Sequence, residues 1–471
     1  MQPHCKSQQL EFQGLGGRRV VGQFDAGHVT SDGGALLLRE LDARTGVISR
    51  FAACFRDYRD PLRAEFSVEH LVRQRAFALC LGYEDVADHD SLRDDPALAT
   101  AVGLPDVLGR RRRRQGDRGH ALAGKSTINR LELAGDAIDD SERYKRIVAD
   151  DDAIERFFVN EFIDAHKHEP MPRIILDFDP TDIQLHGKQE GRFFHGYYGH
   201  YCYLPMMVFC GDDLLMARMR RADIDGSDGT VQMLQLVVPM LRQQWPSAEI
   251  VLRADSAFAR EAIMSWCEGN DVHYVIGLAR NGRLRSRVEP QLAEAKAELQ
   301  QTGRPARRFT EFAWATLRSW SRERRVVAKA EHIPGKANPR FVVTSLRESP
   351  ATLYEQVYCQ RGEAENRIRE HQQDLFGHQA SCTKMRANQL RLWLSSLAYL
   401  LMNELRRVGL AGTEMARCQA ATIRSRLLKI GALVMVSSRR VKLSFSRFHP
   451  ARDTYAAALQ AITSAWELQP P

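Results

Sequence analysis

Two short apolar runs, each ending in aspartate, constrain this chain more than any other feature. In the first, Ile174, Leu176 and Phe178 alternate with Ile175, Asp177 and Asp179. That is the two-residue period of a strand, with both acids on one face. A strand acid usually faces solvent. Here the run is apolar enough for a sheet interior, and its acids cluster at its end, where α/β folds build their sites. Residues two apart share a face, so periodicity does not choose between Asp177 and Asp179. The second run, Ile250-Val251-Leu252, leads to Asp255 at the strand end. Ser256 reads as the cap of a helix through Arg260, Ala262, Ile263 and Trp266. An acid at that junction lies near the positive end of a helix dipole, which favours its ionised form. A plain capping role explains Asp255 equally well.

A third acid belongs to a helical pattern. Tyr358, Arg361, Glu365 and Gln372 are spaced three, four and seven apart, which places them on one helix face. Glu363 and Glu370 share the opposite face. A solvated, charge-rich helix is the ordinary alternative, but a Tyr and an Arg aligned with one acid weigh against it. Two carboxylates at strand ends and one on a later helix can bridge two Mg²⁺ ions and stabilise both oxygens of a phosphodiester displacement.

With these residues the chain resembles the DDE transposases of bacterial insertion sequences, in the branch with a Tyr-x2-Arg-x3-Glu-x6-Lys signature. Tyr358, Arg361 and Glu365 match; Gln372 stands where the family usually has lysine. Arg369, one turn earlier, is a substitute for that phosphate contact. Asp179-Pro180-Thr181 resembles the family's first strand end, which favours Asp179 over Asp177. The likeness spans roughly residues 25–445, with Ser31-Asp32-Gly33-Gly34 and the turn from Gly191 to Tyr198. It implies an α/β fold with an RNase H-like catalytic core, a mixed sheet flanked by helices. It also implies Asp179, Asp255 and Glu365 as catalytic residues and as ligands of two Mg²⁺ (or Mn²⁺) ions. Cut-and-paste transposition is the implied activity, by hydrolysis at element ends and strand transfer. The expected partners are double-stranded DNA, as terminal inverted repeats and target, and a second copy in a homodimeric synapse. The alternative is a catalytically inactive, domesticated DNA-binding protein.

The distance from Asp255 to Glu365 is too long for one strand–helix unit. Between them, Phe309 to Leu317, Arg325 to Ala330 and Phe341-Val342-Val343 read as strands, with a turn at Pro334-Gly335-Lys336. A β-rich insertion is therefore expected at 291–350, interrupting core segments at 166–290 and 351–450. It contains Trp314 and Trp320. Packing is the commoner role for each, while the family likeness offers Trp320 as a stacking partner for a flipped base. Helical patterns at 35–43, 67–81, 90–102 and 126–133 suggest a helical DNA-binding region over 1–165, after a polar lead-in, although no helix-turn-helix stands out. Helices at 390–405 and 423–428 are expected to close the core, and a final helix at 454–467 lies in a C-terminal segment, 451–471.

Charge agrees with a phosphate-rich partner without proving one. Lysine plus arginine outnumber the acids 67 to 59, a net of +8. The excess is local: Arg110, Arg111, Arg112, Arg113 and Arg114 are consecutive. Beside Gly109 and Gly116 they read as a loop able to hold phosphates without reading sequence. Lys125 is a further candidate for a DNA phosphate. It belongs to Gly119-His120-Ala121-Leu122-Ala123-Gly124-Lys125-Ser126, which fits the Walker A pattern letter for letter. A phosphate loop needs a buried strand before it, and an arginine run cannot be one, so no nucleotide is expected. His186, His195 and His200 have no usual zinc spacing. Nine scattered cysteines without a Cys-x-x-Cys pair argue against a zinc ribbon or a disulfide framework and suit a reducing cytoplasm. No signal peptide is read at the N-terminus, and no segment has the length and apolarity to span a membrane.

Overall fold

The computed structural model describes residues 9–138 and 145–464. The chain divides into two units, one of residues 1–149 with 397–471 and one of residues 150–396.

In residues 150–396 nine strands share one sheet: β1 (Arg173–Pro180), β2 (Met206–Cys210), β3 (Asp213–Arg218), β4 (Glu249–Ala254), β5 (His273–Leu278), β6 (Ala306–Trp314), β7 (Arg324–Ile333), β8 (Lys336–Ala337) and β9 (Arg340–Thr344). Their order is β3-β2-β1-β4-β5-β9-β7-β6, with β8 paired to β7. β1, β4 and β5 run parallel, and the remaining pairs are antiparallel. A β1–β2–β3 meander with two parallel strands added beyond β1 is consistent with an RNase H-like core. Among its helices are α1 (Asp151–His166), α2 (Thr230–Gln244), α3 (Glu261–Gly269), α4 (Glu289–Thr302) and α5 (Arg361–Asp374). Asp150 caps α1 by accepting from the Ala153 N–H, with Asp151 and Asp152 in the first turn, where the helix dipole favours acids.

Strand alternation sorts the sheet into two faces. Ile174, Leu176 and Phe178 of β1, Ile250, Leu252 and Ala254 of β4, and Tyr274 and Ile276 of β5 enter one large core together with apolar residues of α2 and α3. The opposite face carries Val251, Val275, Val327 and Val342 and packs under Leu353, Tyr354 and Val357, just before α5. Asp177, Asp179, Arg253 and Gly277 belong to this second face by the two-residue period.

The strands expected within 291–350 are present, but they form no body of their own. β9 pairs with β5, placing Val343 beside Ile276, so β9, β7 and β6 prolong the core sheet. Val342 and Val343 are buried on opposite faces, which a strand achieves only inside a covered sheet.

The other unit departs further from the sequence expectation. Residues 1–149 do not stand alone, because His28–Thr30 pairs with Ala432–Val436, which in turn pairs with Val441–Phe445. Residues 397 onward therefore belong with the N-terminal helices rather than closing the core. The expected lead-in contains a hairpin, Leu10–Leu15 with Arg18–Gly22. The helix expected over 90–102 is two short ones, His89–Leu92 and Pro96–Val102, because Pro96 ends the first and Asp95 caps the second. The final helix is Arg452–Ser464; the expected positions 465–467 lie outside the described residues. Gly33 and Gly34 lie against the backbone of 427–430, where a Cβ on Gly34 would fall 2.3 Å from the Leu428 Cα. Asp32 accepts from the Tyr83 hydroxyl at 2.6 Å and pairs with the Lys429 ammonium at 2.7 Å. The Ser31–Gly34 motif thus joins the two ends of this unit.

Candidate active site

β1 and β4 deliver the two aspartates. The register sets Arg253 beside Asp177. Two residues further, on the same face, come Asp179 and Asp255. Asp177 is consumed structurally: both its oxygens accept from Arg253, at 2.5 and 2.7 Å, and Arg253 also donates to the Val357 carbonyl at 2.7 Å. Asp179 is bonded instead by Arg361, whose Nη1 lies 3.3 Å from its Oδ2.

Arg361 starts α5 and turns in two directions. Its Nη2 lies 2.5 Å from Glu365 Oε1, so one guanidinium bridges Asp179 and Glu365. Burial pushes the Asp179 carboxyl up to about 7; Arg361 pulls against that rise, while Asp255, Glu365 and Asp177 add to it. The Arg361 guanidinium, although desolvated, is held above its usual range by Asp179 and Glu365. Tyr358 is also raised, by burial first.

Asp255 accepts from the Ala257 N–H at 2.8 Å. It is therefore Asp255, not Ser256, that caps the turn Ser256–Phe258, and α3 begins only at Glu261. A short turn intervenes because Ala259 leaves helical geometry, at φ −72° and ψ 59°. Beside this turn, Gly277 leaves room for Tyr358. A Cβ there would lie 2.6 Å from the Tyr358 hydroxyl and 3.0 Å from the Ser256 nitrogen.

The helical face expected for Tyr358, Arg361, Glu365 and Gln372 exists with one change. Leu353–Tyr358 is π-helical, and α5 proper begins at Arg361. Gln372 donates to the Thr181 hydroxyl at 3.0 Å and to the Asp182 carbonyl at 3.1 Å, tying α5 to the chain just past β1. Arg369 is exposed. The segment after Asp182 forms a small sheet, Ile183–Gln184, His200–Tyr203 and Phe193–His195. In it His200 bonds Asp182 at 2.8 Å. The Tyr198 hydroxyl is pushed up to about 12 by burial and by Asp182 and Asp179.

The remaining sequence candidates lie elsewhere. Trp320 is a correction: it is 8% exposed and belongs to the large core, with Arg324 over its ring at 5.6 Å, so no ring face is open to a base. Arg112 is a second correction. Its guanidinium pairs with Glu65 at 2.8 Å, bonds the His120 carbonyl and covers the Phe66 ring, which makes it structural. Arg110, Arg111, Arg113 and Arg114 are exposed. Lys125 is paired with Asp90 at 3.0 Å, and its own N–H donates to the same carboxylate. Before the Walker-like stretch the chain forms turns, not a strand.

Arg253 and Gly277 were not anticipated from sequence. An arginine inside an apolar strand, two positions before Asp255, was the available signal for the first. Nothing local marks the second.

A hard divalent cation is implied by three carboxylates of this kind. The donor chemistry fits: an acid raised by burial and further by three neighbouring acids gains from a nearby cation. The arrangement is not a closed cage, since among the described residues no three His, Cys, Asp or Glu side chains are grouped to hold a metal. Arg361 stands between Asp179 and Glu365 instead.

No match is found among curated proteins. Residues 12–466 match the family described as transposase DDE domain, group 1. That match covers nearly the whole chain, and the large mixed sheet flanked by helices is consistent with such a domain. The chain belongs to the DDE transposase family.

Proposed function

We propose that this transposase moves an insertion sequence by cut-and-paste, hydrolysing DNA at the element's ends and joining the freed 3′-hydroxyl to target DNA. The observation that carries this reading is the bridge from Arg361 to Asp179 and Glu365, on the sheet face that Asp255 shares. A divalent metal held by Asp179, Asp255 and Glu365 would supply Lewis-acid activation and charge neutralisation. Arg361 orients Glu365 and presents a cation to the scissile phosphate. Tyr358, wedged against Gly277, fixes the angle at which α5 leaves the sheet. In strand transfer a new 3′ oxygen–phosphorus bond forms as a target phosphodiester breaks, so bond count is conserved and no nucleotide is consumed. The partners are the element's end duplexes and target duplex, held by a pair of protomers.

Cleavage of duplexes carrying the element's own ends, in Mg²⁺ or Mn²⁺, tests the reading. Wild type should cut, while Asp255→Asn and Glu365→Gln should bind the ends and lose cutting by about 10²–10³-fold, the scale of removing one transition-state contact. Equal cutting by Glu365→Gln would sink the assignment. Binding without cutting by the wild type would favour an inactive DNA-binding relic.

A further inference from the structure

The unit of residues 1–149 and 397–471 contains a cavity of about 810 Å³. Its walls come from residues 58–66, 90–93, 112–130 and Arg146, and hold eight arginines against four acids. The acids are already engaged. Glu65 takes the Arg112 guanidinium at 2.8 Å and the Arg113 N–H at 2.7 Å. Asp90 takes Lys125, Asp60 faces Arg63 at 3.3 Å, and Asp117 lies 3.7 Å from Arg112. Three of the arginines lack such a bonded partner, although Arg93 lies in the field of Asp90 and Arg113 in that of Glu65. Arg93, Arg113 and Arg114 make no side-chain hydrogen bond or ion pair with a protein group among the described residues. The Arg93 Nε is buried with no acceptor, and a buried donor without a partner is destabilising. The hydroxyl-bearing Ser126 and Thr127 line the same space.

We propose that this cavity grips the phosphodiester backbone of DNA, a proposal that rests on the transposase reading above. The chemistry required is a polyanion: unpaired guanidiniums and hydroxyls bind phosphate oxygens. A backbone suits the site better than a free nucleotide. The lysine of the Walker-like stretch and the first N–H of its helix are both held by Asp90. The free cations lie on two separate chain segments, and exposed Arg110 and Arg111 continue the arginine run outside the lining. One phosphate fills one or two guanidiniums; a chain of phosphates fills the series.

The test is anisotropy of labelled end duplex with full-length protein across a salt series, wild type beside Arg113→Gln/Arg114→Gln and a triple variant adding Arg93→Gln. Each lost phosphate contact should flatten the log–log salt slope by about one, so the double variant loses about two and binds roughly tenfold or more weaker. Thermal melting confirms that the variants fold; the double variant removes only exposed groups and stands as the decisive one if Arg93→Gln unfolds. Unchanged slope and affinity in folded variants overturn the proposal. So does ATP or pyrophosphate binding that the variants abolish while DNA binding stays intact, because the ligand is then a free phosphate compound. Metal-dependent cutting is scored in the same samples. Wild type that cuts, with variants that bind normally, refutes the cavity alone. Wild type that does not cut, with variants that lose slope, refutes the cleavage reading and supports the cavity.

Discussion

Asp177 and Asp179 sit two positions apart on one strand face and have different partners. Asp177 faces Arg253 across β4 and satisfies both oxygens there, whereas Asp179 meets the arginine that also reaches Glu365. Periodicity could not separate the two, because the discriminating partner is 76 positions away in sequence. Gly277 is equally illegible for the same reason: its importance lies in what the neighbouring strand and the π-helical turn bring to it. Gly277→Ala should force Tyr358 and the Asp255 turn apart, since the added methyl would lie 2.6 Å from the Tyr358 hydroxyl. The expected cost is about 1–3 kcal/mol of stability, the usual range for overpacking, with end cleavage reduced at least about tenfold, the equivalent of some 1.4 kcal/mol in barrier. Wild-type cleavage by a folded Gly277→Ala protein would show that Tyr358 has slack. His166 gives a pH prediction. Its ring bonds Asp213 at 2.9 Å and Glu169 at 3.0 Å, and those bonds, the Asp213 one first, raise its pKa to about 9. A folded-state pKa above the unfolded value stabilises most below about 6.5, and that contribution is lost as pH rises through about 9. Urea midpoints of wild type and His166→Gln should therefore differ by on the order of 2 kcal/mol at pH 6 and converge by pH 10. A gap independent of pH would assign the loss to packing instead.

Helix α5 and strand β1 are coupled at two places, through Arg361 to Asp179 and through Gln372 to Thr181 and Asp182. Their spacing along α5 was legible, because a helix face is local information. What Gln372 bonds was not, because it depends on a long-range approach. Gln372→Ala should release the C-terminal half of α5 from β1, lowering cleavage several-fold with little change in duplex affinity. Gln372→Lys can donate to the same Thr181 hydroxyl and Asp182 carbonyl, so it should retain or exceed wild-type cleavage. If Gln372→Ala instead loses duplex affinity and keeps its turnover, residue 372 contacts DNA rather than positioning α5. The strands read between Asp255 and Glu365 were found close to their expected positions, for alternation and turn residues are local signals. Their continuity with the core sheet followed from β9, an apolar run whose two faces both needed cover.

The whole molecule was the least legible scale. Nothing in residues 28–30 announces that they pair with 432–434, and this pairing is what assigns residues 397–471 to the N-terminal helices. A chain ending after Ser396 should lose that unit's order while residues 150–396 keep their sheet. Limited proteolysis reads this directly: cuts should concentrate within residues 28–149 and spare 173–344. A truncated chain resistant throughout would show that the N-terminal helices hold together without the C-terminal strands. The arrangement also imposes a timetable on synthesis. Residue 149 leaves the ribosome about 280 residues before Ala432, an interval on the order of 15–60 s at about 5–20 residues per second. During that interval the segment carrying the arginine-lined cavity waits for its strand partner while the sheet of Asp179 and Asp255 can already form. The three acids are thus all synthesised before the strand that pairs with His28–Thr30, and a polypeptide interrupted ahead of Ala432 carries the carboxylates without that pairing.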